Sequence, residues 1–201
     1  MPERATELYT AAVELFIERG YRDVDVTDIT ARCGVSHGTF YNYFRSKRDI
    51  LESIQTRMAE ELSVALAGER DPATFRCRTE YIAEFTDRVR GAVTYIAKNR
   101  ELVSFAAIAA PGVDEKGYEA VLDAYDGFGA QVTAYLEVGR RQGWIRDGVD
   151  ARIAGRSVVS CVLMATFPML VGDGAEVDPE QVARACAAFL LGGLRRVLPG
   201  T

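Results

Sequence analysis

From residue 4 to residue 194, apolar side chains recur at three- and four-residue steps, and no stretch sustains the alternation of a half-buried strand. That periodicity, punctuated by glycine and proline, restricts the chain to an all-α fold of about nine helices. The spacing predicts helices over 4–19, 25–33, 36–44, a long one from Lys47, then 73–98, 101–109, 115–142, 150–171 and 178–197. Gly20 ends the first helix, Asp25 with Asp28 caps the second, Gly34 breaks it, and Ser36 and Ser46 cap the next two.

Several functions are disfavoured by what the chain lacks. Residues 1–10 are polar and charged, so no secretory leader is expected. The longest apolar stretch, 158–171, is interrupted by Ser160, Thr166 and Pro168 and reads as a buried core helix shorter than a membrane span. The expectation is a cytoplasmic protein without membrane attachment. Cys33, Cys77, Cys161 and Cys186 are scattered with no C-x-x-C pair, as suits packed thiols in a reducing compartment. His37 is the only histidine, which removes histidine-based metal sites and a Ser-His-Asp triad from the C-terminal region. With no nucleophile elbow, phosphate loop or metal-ligand cluster, the reading is that the chain is not an enzyme and carries no catalytic residues, metal or cofactor.

The segment 24–51, VDVTDITARCGVSHGTFYNYFRSKRDIL, is where function concentrates. A two-turn helix, a Cys33-Gly34-Val35 turn and a second capped helix form a helix-turn-helix. Val26, Ile29, Val35 and Phe40 are spaced to pack the two helices together, with Phe44 also assigned to packing. Ser36, His37, Gly38, Thr39, Tyr41, Asn42 and Tyr43 are then left to face outward, small and hydrogen-bonding residues suited to the major groove. Lys47, Arg48 and the tyrosine hydroxyls suit phosphate oxygens. The net charge of −5 does not oppose this, because distribution decides: no carboxylate lies between Asp28 and Asp49, whereas Arg32, Arg45, Lys47 and Arg48 do. His37 reads either as a base or phosphate contact or as a solvated residue, and Tyr41 and Tyr43 either as phosphate contacts or as core aromatics.

Gly20-Tyr21, Ile29, Gly34-Val35-Ser36, Gly38-Thr39-Phe40-Tyr41, Tyr43-Phe44 and Ser46-Lys47 resemble, in order and spacing, the DNA-binding signature of the tetracycline-repressor (TetR) family. The resemblance covers about a quarter of the chain and departs from the commonest pattern at Asp25, Thr30 and Cys33, all small or equally good at capping. It implies that Thr27, Ser36, Thr39, Tyr41, Tyr43 and Lys47 face double-stranded DNA. It also implies that His37, Gly38 and Asn42 tune sequence choice. The expected organisation is a DNA-binding head over 1–48 and a ligand-sensing and dimerisation domain over 49–201.

Beyond residue 52 the resemblance fades. Aromatics on the later helices, with Gly127 and Gly129 leaving space, suggest a cavity for a small apolar or aromatic ligand among Phe85, Phe105, Tyr125, Phe128 and Met164. The same residues serve an ordinary core equally well. No carboxylate or lysine is expected on the apolar face of these helices. The last two helices read as a homodimer interface including Val162, Cys186 and Leu190. The leading reading is a repressor released from an inverted-repeat operator by its ligand. The alternative is a protein-interaction module that keeps the head without regulating DNA.

Overall fold

The computed structural model describes residues 2–171 and 178–194, with the side chains of residues 190, 191, 193 and 194 excepted. Among the described residues there is no strand. The helices are α1 (Glu3–Arg19), α2 (Val26–Cys33), α3 (His37–Tyr41), α4 (Lys47–Ala67), α5 (Arg78–Lys98), α6 (Arg100–Ser104), α7 (Glu115–Arg141), α8 (Ala151–Leu170) and α9 (Pro179–Leu194). The chain divides into two compact units, Met1–Glu60 with Glu101–Leu122, and Glu61–Arg100 with Asp123–Thr201. The first unit therefore extends beyond the 1–48 segment read as the head, and the divisions fall inside α4, α6 and α7.

In the first unit α1 buries Leu8, Ala11, Ala12, Leu15 and Phe16 against Val24, Ile29, Phe40, Phe44, Ile50, Leu51 and Ile54. The carboxylate of Asp28 accepts from the Asp25 amide at 2.7 Å, completing an acidic capping box at the start of α2. That amide, and then Arg19, hold the Asp28 carboxyl below its ordinary range. Gly34, at φ +64°, closes α2 with a Schellman pairing: its own amide reaches Ala31 O, and the Val35 amide reaches Thr30 O at 3.0 Å. Ser36 Oγ accepts from the Thr39 amide and starts α3. The helix stops at Tyr41, three residues before the expected end, and Asn42 and Tyr43 lie in a turn.

The helix expected over 101–109 is also divided. After Ser104 the chain runs through a π-turn, Phe105–Ala109, and a 3-10 turn, Ala110–Gly112. Phe105 there stacks on Phe16, ring centroids 5.7 Å apart, so it belongs to the core of the first unit. Gln55, 3% exposed on α4, donates to Ala106 O and Gly117 O and ties this segment down. The start expected at residue 73 is instead a 3-10 turn, Pro72–Thr74, capped by Asp71.

The second unit packs α5, the C-terminal part of α7, α8 and α9 around Tyr81, Phe85, Val89, Val93, Val132, Leu136, Val158, Ala183 and Cys186. Tyr81 and Tyr135 stack at 4.5 Å, and each hydroxyl donates to the other's backbone carbonyl. α7 and α8 cross closely at two glycines. A Cβ on Gly155 would lie 2.4 Å from Thr133 Oγ1 and 2.7 Å from Gly129 O. α8 is, among the described residues, the one helix long and apolar enough to cross a membrane. This corrects the expectation that no run reaches that length, although its Gly155, Val158, Val162, Thr166 and Met169 are buried within the unit.

Candidate functional site

The head presents one polar face. Thr27, Ser36, His37, Gly38, Asn42, Tyr41 (57%) and Tyr43 (39%) are exposed, and Thr39 is half-buried. His37 Nε2 and Thr27 Oγ1 share a hydrogen bond of 3.2 Å, which joins the first residue of α3 to the first turn of α2. Ser36 and Thr39 share another at 3.1 Å. Tyr41 sits edge-on to buried Phe40, 5.4 Å between centroids, so its ring is braced although the residue is exposed. The nine residues singled out in the sequence thus include eight in an exposed or half-exposed run over α2 and α3.

The ninth, Lys47, has a second occupation. Its ammonium donates to Val24 O at 2.6 Å and Tyr21 O at 2.9 Å, and lies 4.4 Å from the centre of the Tyr21 ring. The other basic residues of the carboxylate-free run find carboxylates elsewhere in the chain. Arg32 pairs with Glu14 and Glu18, and Arg48 with Asp114 at 2.6 Å. Arg45 differs: its side chain is 94% exposed, with only a 3.9 Å approach to Asp49. Arg45 is therefore a further phosphate candidate, and its place in the basic run is the signal that the sequence offers for it.

The five residues expected to line a ligand cavity are divided between the two units. Phe85 is in the second unit's core and Phe105 in the first unit's. Tyr125 is half-buried, its hydroxyl donating to Arg156 O and sharing a bond with Ser160 Oγ. Phe128 is half-buried and Met164 is 59% exposed. Of the two glycines expected to leave space, Gly129 is close to Arg156, whose Cγ an added Cβ would meet at 3.1 Å, while Gly127 has nothing within 4 Å. A small cavity does exist elsewhere in the second unit, lined by Leu66, Phe85, Arg88, Val89, Gln131, Val132, Tyr135 and Val158, with room for about one water. Glu84 on α5 corrects a further expectation, as a carboxylate buried on the apolar face at 7% exposure, and Arg88 of the cavity wall is buried beside it at 9%. Arg88 lies 4.7 Å from the Tyr135 ring centre.

Two of the three interface residues also lie inward. Val162 and Cys186 are packed in the core of their own unit, where burial and then the Cys161 thiol push the Cys186 thiol up to about 11. The side chain of Leu190 lies outside the described residues. The apolar side chains that do face outward on these helices are Ile153, Met164, Phe167 and Val171, and Phe189 at 75% exposure beside exposed Ala185 and Ala188. Among the described residues no group of histidine, cysteine and carboxylate side chains could hold a metal ion.

Residues 8–54 match the family model of the bacterial regulatory proteins of the tetR family. The chain is 25% identical to the fatty acid metabolism regulator protein of Bacillus subtilis, over 94% of both chains. It is also 25% identical to the HTH-type transcriptional repressor KstR2 of Rhodococcus jostii, over 95% of this chain and 91% of the other. The fold is shared with the fatty acid degradation regulator FadR of Bacillus halodurans at a TM-score of 0.78 and 20% identity, over 98% and 99% of the two chains. A capped helix-turn-helix with its polar face outward lies within the matched segment, and full-length likeness to named regulators extends beyond it. Residues 8–54 thus carry the DNA-binding segment of the tetR family, and over its full length the chain is similar to named transcriptional regulators.

Proposed function

We propose that the chain is a homodimeric repressor in the cytoplasm that leaves an inverted-repeat operator when an apolar effector of the fatty-acyl class binds its second unit. The observation that carries the DNA half is the run of exposed Thr27, Ser36, His37 and Gly38 with half-buried Thr39, held by its own hydrogen bonds at the first turns of α2 and α3. Small residues at a helix start admit the close approach that base edges in the major groove require. A twofold dimer supplies the second head that an inverted repeat demands. The outward apolar side chains of α8 and α9 are its contact surface.

The effector half rests on the apolar cavity of the second unit and on the relatives' chemistry. The Bacillus subtilis relative is named for fatty acid metabolism, and a similar structure, at TM-score 0.73 and 20% identity, is FadR from that organism in complex with stearoyl-CoA. Since the cavity is about water-sized, an effector enters only by parting its walls. Binding and conformational change are then the same event, limited by the effector's differential affinity for the two states. α4, whose residues are shared between the units, carries the change to the head.

Selection of duplexes from a random pool tests this reading. A twofold-symmetric consensus is expected, with binding that weakens steeply with salt and is relieved by a fatty-acyl thioester. No enrichment of any sequence would overturn it in favour of a protein-interaction module, whose partner would then bind the polar face of the head.

A further inference from the structure

Glu84 and Arg88 lie one turn apart on α5 and are the charged side chains drawn into the core among the described residues. Arg88 Nε is 3.3 Å from Glu84 Oε1, so the charges balance, yet neither of those two atoms has a hydrogen-bond partner. Gly68 passes over the pair without a side chain, and a Cβ there would lie 2.3 Å from Glu84 Oε1 and 2.8 Å from Arg88 Nε. The guanidinium also rests on the Tyr135 ring, donates Nη2 to Arg70 O at 2.7 Å, and forms part of the cavity wall. A buried ion pair with orphaned polar atoms is poor packing, because apolar residues of the same volume are as stabilising or more so. Because Arg88 lines the cavity and Glu84 balances its charge, the pair has another use.

We propose that the Glu84–Arg88 pair is the polar recognition element of the effector cavity, and that it selects an uncharged acyl derivative, an ester or thioester, over the free carboxylate. The proposal rests on the apolar-effector reading above and narrows it. A carbonyl oxygen accepts a hydrogen bond without adding charge, which suits a guanidinium already neutralised by Glu84. A carboxylate would set a second negative charge beside Glu84 where little water screens the two. The hydrocarbon part of the ligand meets Leu66, Phe85, Val89, Val132 and Val158. Arg88 also holds the carbonyl of Arg70, three residues past the end of α4. A ligand that draws on the guanidinium thereby loosens an anchor at that helix end.

Calorimetry of the full chain with methyl octanoate and octanoate, in the wild type and in Glu84→Gln, tests the proposal. The wild type is expected to favour the ester by about tenfold or more. Glu84→Gln leaves Arg88 with an unbalanced charge, so octanoate should bind the variant about tenfold or more tightly than it binds the wild type. A merely structural pair would not reverse the selectivity. Equal binding of the two compounds by both proteins would overturn the role of the pair and leave the apolar effector standing. Binding of neither by the wild type would overturn both. Should Glu84→Gln fail to fold by circular dichroism, the wild-type comparison decides alone, and equal or tighter binding of octanoate would overturn the proposal.

Discussion

Lys47, at the first position of α4, donates to the carbonyl of Val24 at 2.6 Å, tying the start of that helix to the loop between α1 and α2. Together with the bond to Tyr21 O, this makes the ammonium a brace for the head as well as a candidate for phosphate. Hydrogen bonds from a charged donor contribute more than neutral ones, so Lys47→Ala should destabilise the protein by about 2 kcal/mol. Arg45→Ala should leave the melting temperature unchanged and flatten the dependence of log affinity on log salt by about one unit. Thermal denaturation and anisotropy titrations over a salt series separate the two. A flattened slope for Lys47→Ala at unchanged stability would make Lys47 a phosphate contact and refute the brace.

The glycines of α7 and α8 make opposite demands. Gly155 faces Thr133 and the Gly129 carbonyl at distances no Cβ tolerates, so Gly155→Ala should cost about 1–3 kcal/mol as the helices are forced apart. Gly127 has nothing within 4 Å of an added Cβ and lies in helical backbone, so Gly127→Ala should stabilise by about 0.5–1 kcal/mol. Denaturant midpoints of the two variants check both signs. A neutral Gly155→Ala would mean that the crossing yields easily.

Local signals carried most of the fold. Asp25 with Asp28, Gly34 and Ser36 act within a few residues of themselves, and each does in the structure what its type dictates. The polar face of the head was legible for the same reason. What failed depended on partners distant in sequence. Arg48 looked available for DNA until Asp114, 66 residues on, was brought to it. Phe105 has the periodicity of a core residue, but periodicity does not say which core, and it joined Phe16 instead of Phe85. The buried charges did leave a trace. Glu84 and Arg88 fall in phase with Tyr81, Phe85, Val89, Ala92, Val93 and Ile96, on the stripe that must turn inward.

Tyr81 and Tyr135 make alkaline stability a readout of the second unit's core. Burial, above all, raises both phenols above the ordinary value of about 10. Raised folded values mean that the unfolded chain ionises first. The stability from these groups is complete below about pH 10 and falls as pH rises beyond it. Tyr135→Phe removes one donor and one ionisable group, so it should cost about 1 kcal/mol at neutral pH and make the alkaline fall shallower. Melting curves from pH 7 upward test this. A fall as steep as in the wild type would shift the alkaline sensitivity to other groups.

The orientation of α8 and α9 decides which substitutions break the dimer and which break the protomer. Val162 is 8% exposed in the core of its own unit, so Val162→Glu buries an unpaired charge and should unfold that unit. Phe189 is 75% exposed and Met164 59%, so Glu at either position costs the isolated protomer almost nothing. Placed in an apolar contact between two copies, the same carboxylate meets no partner and costs several kcal/mol on each side of the twofold. Phe189→Glu should therefore sediment as a folded monomer where the wild type is a dimer, with unchanged helical content. It should also lose affinity for an inverted repeat, since each half-site must then be bound by an independent head. A dimer that survives both Phe189→Glu and Met164→Glu would take the contact surface away from this face of α8 and α9, and the two heads would have to be paired by another surface of the chain.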